Sequence, residues 1–184
     1  MIVKYFDLKK NLKKEINFYL LYGLNTGLIE ETIDNTFKSN FSKNIFYYEE
    51  TEVLSNVNKF KEEIYNKSFF ENDKLIIINR ASDKILKLVE EIIDEKTSDI
   101  KIIIKSGILE KRSKIRTFFE KNKSTIVVPF YEDNYQSLMM IAQNFFKAKA
   151  IKISHQNINY VIERSKGSRI FLKNELKKKE SFSI

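Results

Sequence analysis

The segment Leu20-Leu21-Tyr22-Gly23-Leu24-Asn25-Thr26-Gly27-Leu28-Ile29 has the layout of a phosphate-binding turn: an apolar run, two glycines, then a helical pattern. Backbone amides in such a turn can cradle phosphate. The chemistry also needs a lysine to reach the β- and γ-phosphates and a hydroxyl residue for magnesium. Here Leu28 and Ile29 follow Gly27. Apolar side chains cannot counter phosphate charge. Gly23, Thr26 and Gly27 therefore read as a degenerate phosphate loop, or simply as a tight strand–helix turn, and nucleotide binding is not expected.

Other reactive residue types are scarce. There is no cysteine and one histidine, His155. This excludes thiolate chemistry, a Cys-ligated zinc and a disulfide framework, and leaves a Ser-His-Asp hydrolase or zinc protease without its parts. The acidic pairs Glu62-Glu63, Glu90-Glu91 and Asp94-Glu95 lie in helical patterns. Adjacent helical residues diverge by about 100° and do not converge on one metal. They read as surface charge, so no metal, cofactor or catalytic residue is expected. Lys111, Arg112, Lys114 and Arg116 form a basic stretch that could meet phosphates or line a solvated helix face. Ser68-Phe69-Phe70 sits in an otherwise polar stretch, Asn66–Lys74. Two adjacent rings do not share one core easily. Either a helix end tucks both inward, or one stays exposed as an anchor for a partner's pocket.

The elements that must position these residues follow from hydrophobic patterning. Apolar residues are 42% of 184, with 15 Phe and 9 Tyr, enough to form a core. Only 4 Gly and 1 Pro argue against a low-complexity chain. Five β-rich runs stand at 18–22, 45–48, 75–78, 100–104 and 125–128, the last stopped by Pro129. Between them, Leu28, Ile29, Ile33 and Phe37, then Leu54, Val57, Phe60 and Ile64, then Ile85, Leu88, Val89 and Ile92, then Ile115, Phe118 and Phe119 mark four helices. Asn25 or Thr26 can cap the first and Ser82 the third. Strands alternating with helices predict a mainly parallel five-stranded sheet with helices on both faces.

After Val128 the strand signal ends. Asp133 and Gln136 resemble a capping box, Ser154 can cap the next helix, and Gly167 separates that one from a last. The chain is thus expected to divide into an α/β domain, 1–132, and a small helical domain, 133–184. Residues 133–184 hold 10 Lys/Arg against 4 Asp/Glu, +6 of the net +8. That suits a polyanionic partner such as nucleic acid, or a solubilising lysine-rich surface. No run reaches the ~18 apolar residues of a membrane helix, and no signal peptide is read at the start, so no membrane association is expected.

Several segments, in order, resemble the delta subunit of the bacterial DNA polymerase III clamp loader. They are Tyr22-Gly23-Leu24-Asn25-Thr26-Gly27-Leu28-Ile29-Glu30-Glu31, then Gly107 through Glu120 with its Lys111-Arg112-Ser113-Lys114-Ile115-Arg116 run. The last is Gly167-Ser168-Arg169-Ile170-Phe171-Leu172-Lys173-Asn174-Glu175-Leu176-Lys177-Lys178. The resemblance implies an AAA+-like (RecA-like) first domain without ATPase activity, followed by a helical lid. It implies a cytoplasmic replication protein within the DNA-directed DNA polymerase III holoenzyme, a nucleotidyltransferase complex. Its expected partners are the sliding clamp (beta subunit), the other clamp-loader subunits and primed template DNA. By the same resemblance Ser68, Phe69 and Phe70 stand where the family's clamp-binding hydrophobic pair lies. Members of the family continue into a collar domain, and this chain is expected to lack it.

Overall fold

The computed structural model describes residues 1–12, 15–38, 41, 44–66, 73–95 and 100–181. Five strands, β1 (Phe18–Gly23), β2 (Ile45–Glu49), β3 (Lys74–Asn79), β4 (Ile100–Ser106) and β5 (Thr125–Phe130), form one sheet in the order β2-β3-β4-β1-β5. Every pairing is parallel. The expected mainly parallel five-stranded sheet stands. The crossovers carry α1 (Thr26–Thr36), α2 (Glu50–Ser55), α3 (Val57–Tyr65), α4 (Leu86–Asp94) and α5 (Lys114–Lys121).

Burial explains the near-continuous apolar runs. Strands covered on both faces have no solvent side to alternate with. Phe18, Leu20, Ile76, Ile102, Ile104 and Val127 share one core with Phe60 and Ile64 of α3, Val89 and Ile92 of α4, and Ile115 and Phe119 of α5. Tyr19, on the opposite face, meets Phe37 edge to face at 4.8 Å, just past α1. The edge strand β2 is less covered, and Phe46 and Tyr47 are exposed.

Local expectations change. The helix read through Leu54, Val57, Phe60 and Ile64 is two helices, α2 and α3, broken at Asn56. Its side chain accepts the Lys59 amide at 3.0 Å. That local bond competes with a continuous helix. Pro129 does not stop β5, which runs on to Phe130 and keeps Gly23 opposite Phe130. On its outer edge Val127 exchanges hydrogen bonds with Met1 and Val3, at 2.9 and 2.8 Å. The nitrogen of Pro129, two residues on, faces the same outward side, where a missing N–H costs no bond to β1. The N-terminal pairing and the 3₁₀ turn at Tyr5–Asn11 that follows it carry no signal in the hydrophobic pattern.

The described chain forms two compact units, Met1–Leu24 with Ile29–Phe130, and Asn25–Leu28 with Tyr131–Ile184. In the second, α6 (Tyr135–Ala148), α7 (His155–Arg164) and α8 (Arg169–Ser181) bury Leu138, Ala142, Phe146, Ile158, Val161, Ile162, Leu172 and Leu176 together. Ser154 caps α7, accepting the Asn157 amide at 3.2 Å, and Gly167 turns the chain at φ +79° before α8. The cap of α6 is Asn134, not Asp133: its Oδ1 accepts the Ser137 amide at 2.8 Å. Asp133 has a different role, described below.

Candidate functional site

The turn after β1 is shaped by close packing. Gly23 has φ +135°, and a Cβ there would lie 2.0 Å from the Phe130 carbonyl oxygen. Its amide donates to the Gly107 carbonyl at 3.0 Å. The glycine thus serves strand packing between β1 and β5. Asn25 starts α1, its Oδ1 accepting the Leu28 amide at 3.1 Å. Thr26 is exposed, whereas Leu28 and Ile29 are buried. A Cβ on Gly27 would lie 2.8 Å from Cγ1 of Ile170 and 3.5 Å from Cβ of Arg169. Side chains of the chain itself therefore fill the space beside the second loop glycine.

Asp133 lies in the same unit as that loop tip. Its side chain is 4% exposed and that of Arg169 is 10% exposed. The carboxylate accepts from Arg169 Nε at 2.8 Å and Nη2 at 2.6 Å, from Asn25 Nδ2 at 2.8 Å and from Ser137 Oγ at 2.8 Å. Burial pushes the acid's pKa up. The hydrogen bonds from Arg169, Asn25 and Ser137, with the Arg169 charge, outweigh burial and hold it below the ordinary aspartate value. Sequence reasoning missed this cluster. Its members are 108 and 36 residues apart, and only the Gly167-Ser168-Arg169 motif hinted at one of them.

The residues do not fit a magnesium triphosphate. Besides Leu28 and Ile29, β3 ends in Asn79 with Arg80 next, so no carboxylate is offered to a metal there. Arg80 Nε instead pairs with Glu49 at 2.7 Å. The missing carboxylate directly after the third apolar run is legible in the sequence. Among the described residues no group of three or more His, Asp or Glu side chains could hold a metal ion.

The basic stretch divides. Lys111, Arg112 and Lys114 are exposed. Arg112 pairs with Glu110 at 2.6 Å. Arg116 turns inward: it pairs with Glu120 at 2.7 Å, donates to the Leu109 carbonyl at 3.0 Å and stands over the Tyr22 ring at 5.1 Å. His155 is exposed at the start of α7. Glu91 and Glu95 share Lys61 at 3.1 and 3.4 Å, surface charge as read. Ser68, Phe69 and Phe70 lie outside the described residues. The helix before them is anchored, however. The ammonium of Lys74 donates to the carbonyls of Glu63 at 2.8 Å, Ile64 at 3.3 Å and Asn66.

The sequence model for "DNA polymerase III, delta subunit" matches residues 19–130, which covers the whole parallel sheet apart from the first residue of β1. The chain belongs to the DNA polymerase III delta-subunit family. No curated protein matches the sequence. Among solved structures, the DNA clamp loader delta protein of Bacillus subtilis is similar at TM-score 0.61 and 18% identity, covering 97% of this chain and 57% of that one. AMPPCP-bound DnaA from Aquifex aeolicus is similar at TM-score 0.59 and 12% identity, over 94% of this chain and 57% of that one. The RuvB Holliday junction branch migration motor of Thermotoga maritima gives 0.54 and 13%, over 86% and 53%. At these identities the likeness is one of fold. This delta-family chain spans a little over half the length of the Bacillus relative. Among its described residues no helix is long and apolar enough to cross a membrane.

Proposed function

We propose that this chain is a clamp-loader delta-like subunit that binds the sliding clamp (the beta subunit) and helps open it for loading on primed template DNA. The observation that carries the reading is the family match over 19–130, a span that includes Ser68, Phe69 and Phe70. In this reading residues 1–132 act as the α/β domain and 133–184 as its lid-like partner, beside other clamp-loader subunits in the cytoplasm. The Phe69-Phe70 pair enters an apolar pocket on the clamp. Binding favours a clamp with one interface open, which shifts a population and needs no covalent chemistry. Nothing in the mechanism requires the chain to hydrolyse a nucleotide.

The test is binding to the sliding clamp of the same organism, with Phe69→Ala/Phe70→Ala beside the wild type and folding checked by circular dichroism. Two buried aromatic anchors at about 2 kcal/mol each predict a loss of affinity of more than about 100-fold. No binding by the folded wild type overturns the reading. A second reading rests on the +6 charge of residues 133–184 with exposed Lys111, Arg112 and Lys114: a basic DNA-binding module independent of any clamp. It requires affinity for bare DNA that falls steeply with salt. An ATPase, the third reading, lacks the loop lysine.

A further inference from the structure

We propose that Arg169, Asn25 and Ser137 form an oxyanion site whose permanent ligand is the chain's own Asp133 carboxylate. The geometry is that of a bound carboxylate. Nε and Nη2 of one guanidinium grip its two oxygens at 2.8 and 2.6 Å, and Asn25 Nδ2 and Ser137 Oγ supply one further donor to each. Such a fork matches a planar carboxylate in charge and spacing. Both charged side chains are nine-tenths or more buried, so the pairing works with little solvent screening. Asn25 precedes α1, Asp133 precedes the cap of α6, and Arg169 opens α8. Three helix N-termini thus add positive partial charge around one carboxylate. Asn25 Nδ2 is also held by the Tyr131 carbonyl at 3.1 Å, which aims the amide at the site.

The consequence is specific. This chain carries its anion covalently, as an internal carboxylate, and the packing of Asn25–Leu28 with α6 and α8 needs no small molecule. The inference stands whether or not the chain binds a clamp.

Asp133→Ala removes the carboxyl group and leaves its donors. Formate, the same group detached, is the probe. Thermal unfolding of the full chain is followed in sodium formate and in sodium chloride at equal ionic strength. The wild type is expected to unfold at the same temperature in both salts. Asp133→Ala should gain about 3 °C in formate at tenfold over its dissociation constant. Asp133→Ala/Arg169→Ala should lose that gain. Equal midpoints for Asp133→Ala in the two salts, or an equal gain in the double variant, overturns the proposal. Should Asp133→Ala fail to fold in chloride, the yield of folded protein on refolding is the readout. Recovery in formate but not chloride supports the site, and no recovery in either overturns it.

Discussion

Lys74 opens β3, yet its ammonium caps the end of α3. The residue is only 9% exposed, and burial lowers its pKa. Its three acceptors are carbonyls of Glu63, Ile64 and Asn66, groups that a helix C-terminus leaves without intrahelical partners. A cation there also meets the negative end of the helix dipole. Lys74→Met keeps most of the volume and removes every one of these bonds. A hydrogen bond to a charged group contributes roughly 1.5–3 kcal/mol, and the burial cost of the ammonium cancels part of three such bonds. The expected net loss is about 2 kcal/mol. Urea unfolding at neutral pH reads it as a lower midpoint with an unchanged slope. Lys74→Arg should not recover the loss, because a planar guanidinium cannot reach three carbonyls arranged around a point charge. A change below about 0.5 kcal/mol for Lys74→Met would refute the reasoning and mean that water serves those carbonyls equally well.

Two further outcomes follow from the geometry. Gly23→Ala should cost at least about 3 kcal/mol, because a methyl group 2.0 Å from the Phe130 carbonyl forces β1 and β5 apart. Gly167→Ala, in open space at φ +79°, should cost only about 1 kcal/mol; equal costs in thermal unfolding would remove the close-approach argument. Asp133 has a folded pKa below its unfolded value, so its contribution is complete above the ordinary aspartate pKa and is lost as pH falls through the folded one. The stability gap between wild type and Asp133→Asn should therefore narrow as pH falls below about 4, and a gap that stays constant to pH 3 would show that the charge is irrelevant.

What the sequence determined by itself is what lies within a few residues. Apolar runs such as Leu75–Ile78 and Ile100–Ile104 exclude a solvent-facing strand, and the 3.6-residue spacing of Leu88, Val89 and Ile92 sets the buried face of α4. The five strands and their helical crossovers follow from that. The missing lysine after Gly27 was equally legible, since a charge requirement is met or failed at one position. Local competition already blurred the reading. Asn56 split a helix whose apolar spacing ran on unbroken, and Asn134 took the cap that the spacing of Asp133 and Gln136 pointed to. Tertiary structure alone decided the rest. The strand order sets which side of β5 tolerates Pro129 and why Gly23 admits no side chain. Asn25, Asp133 and Arg169 mean nothing to one another along the chain. They become one site because folding buries a carboxylate, and a buried charge is stable only where donors from distant segments converge on it.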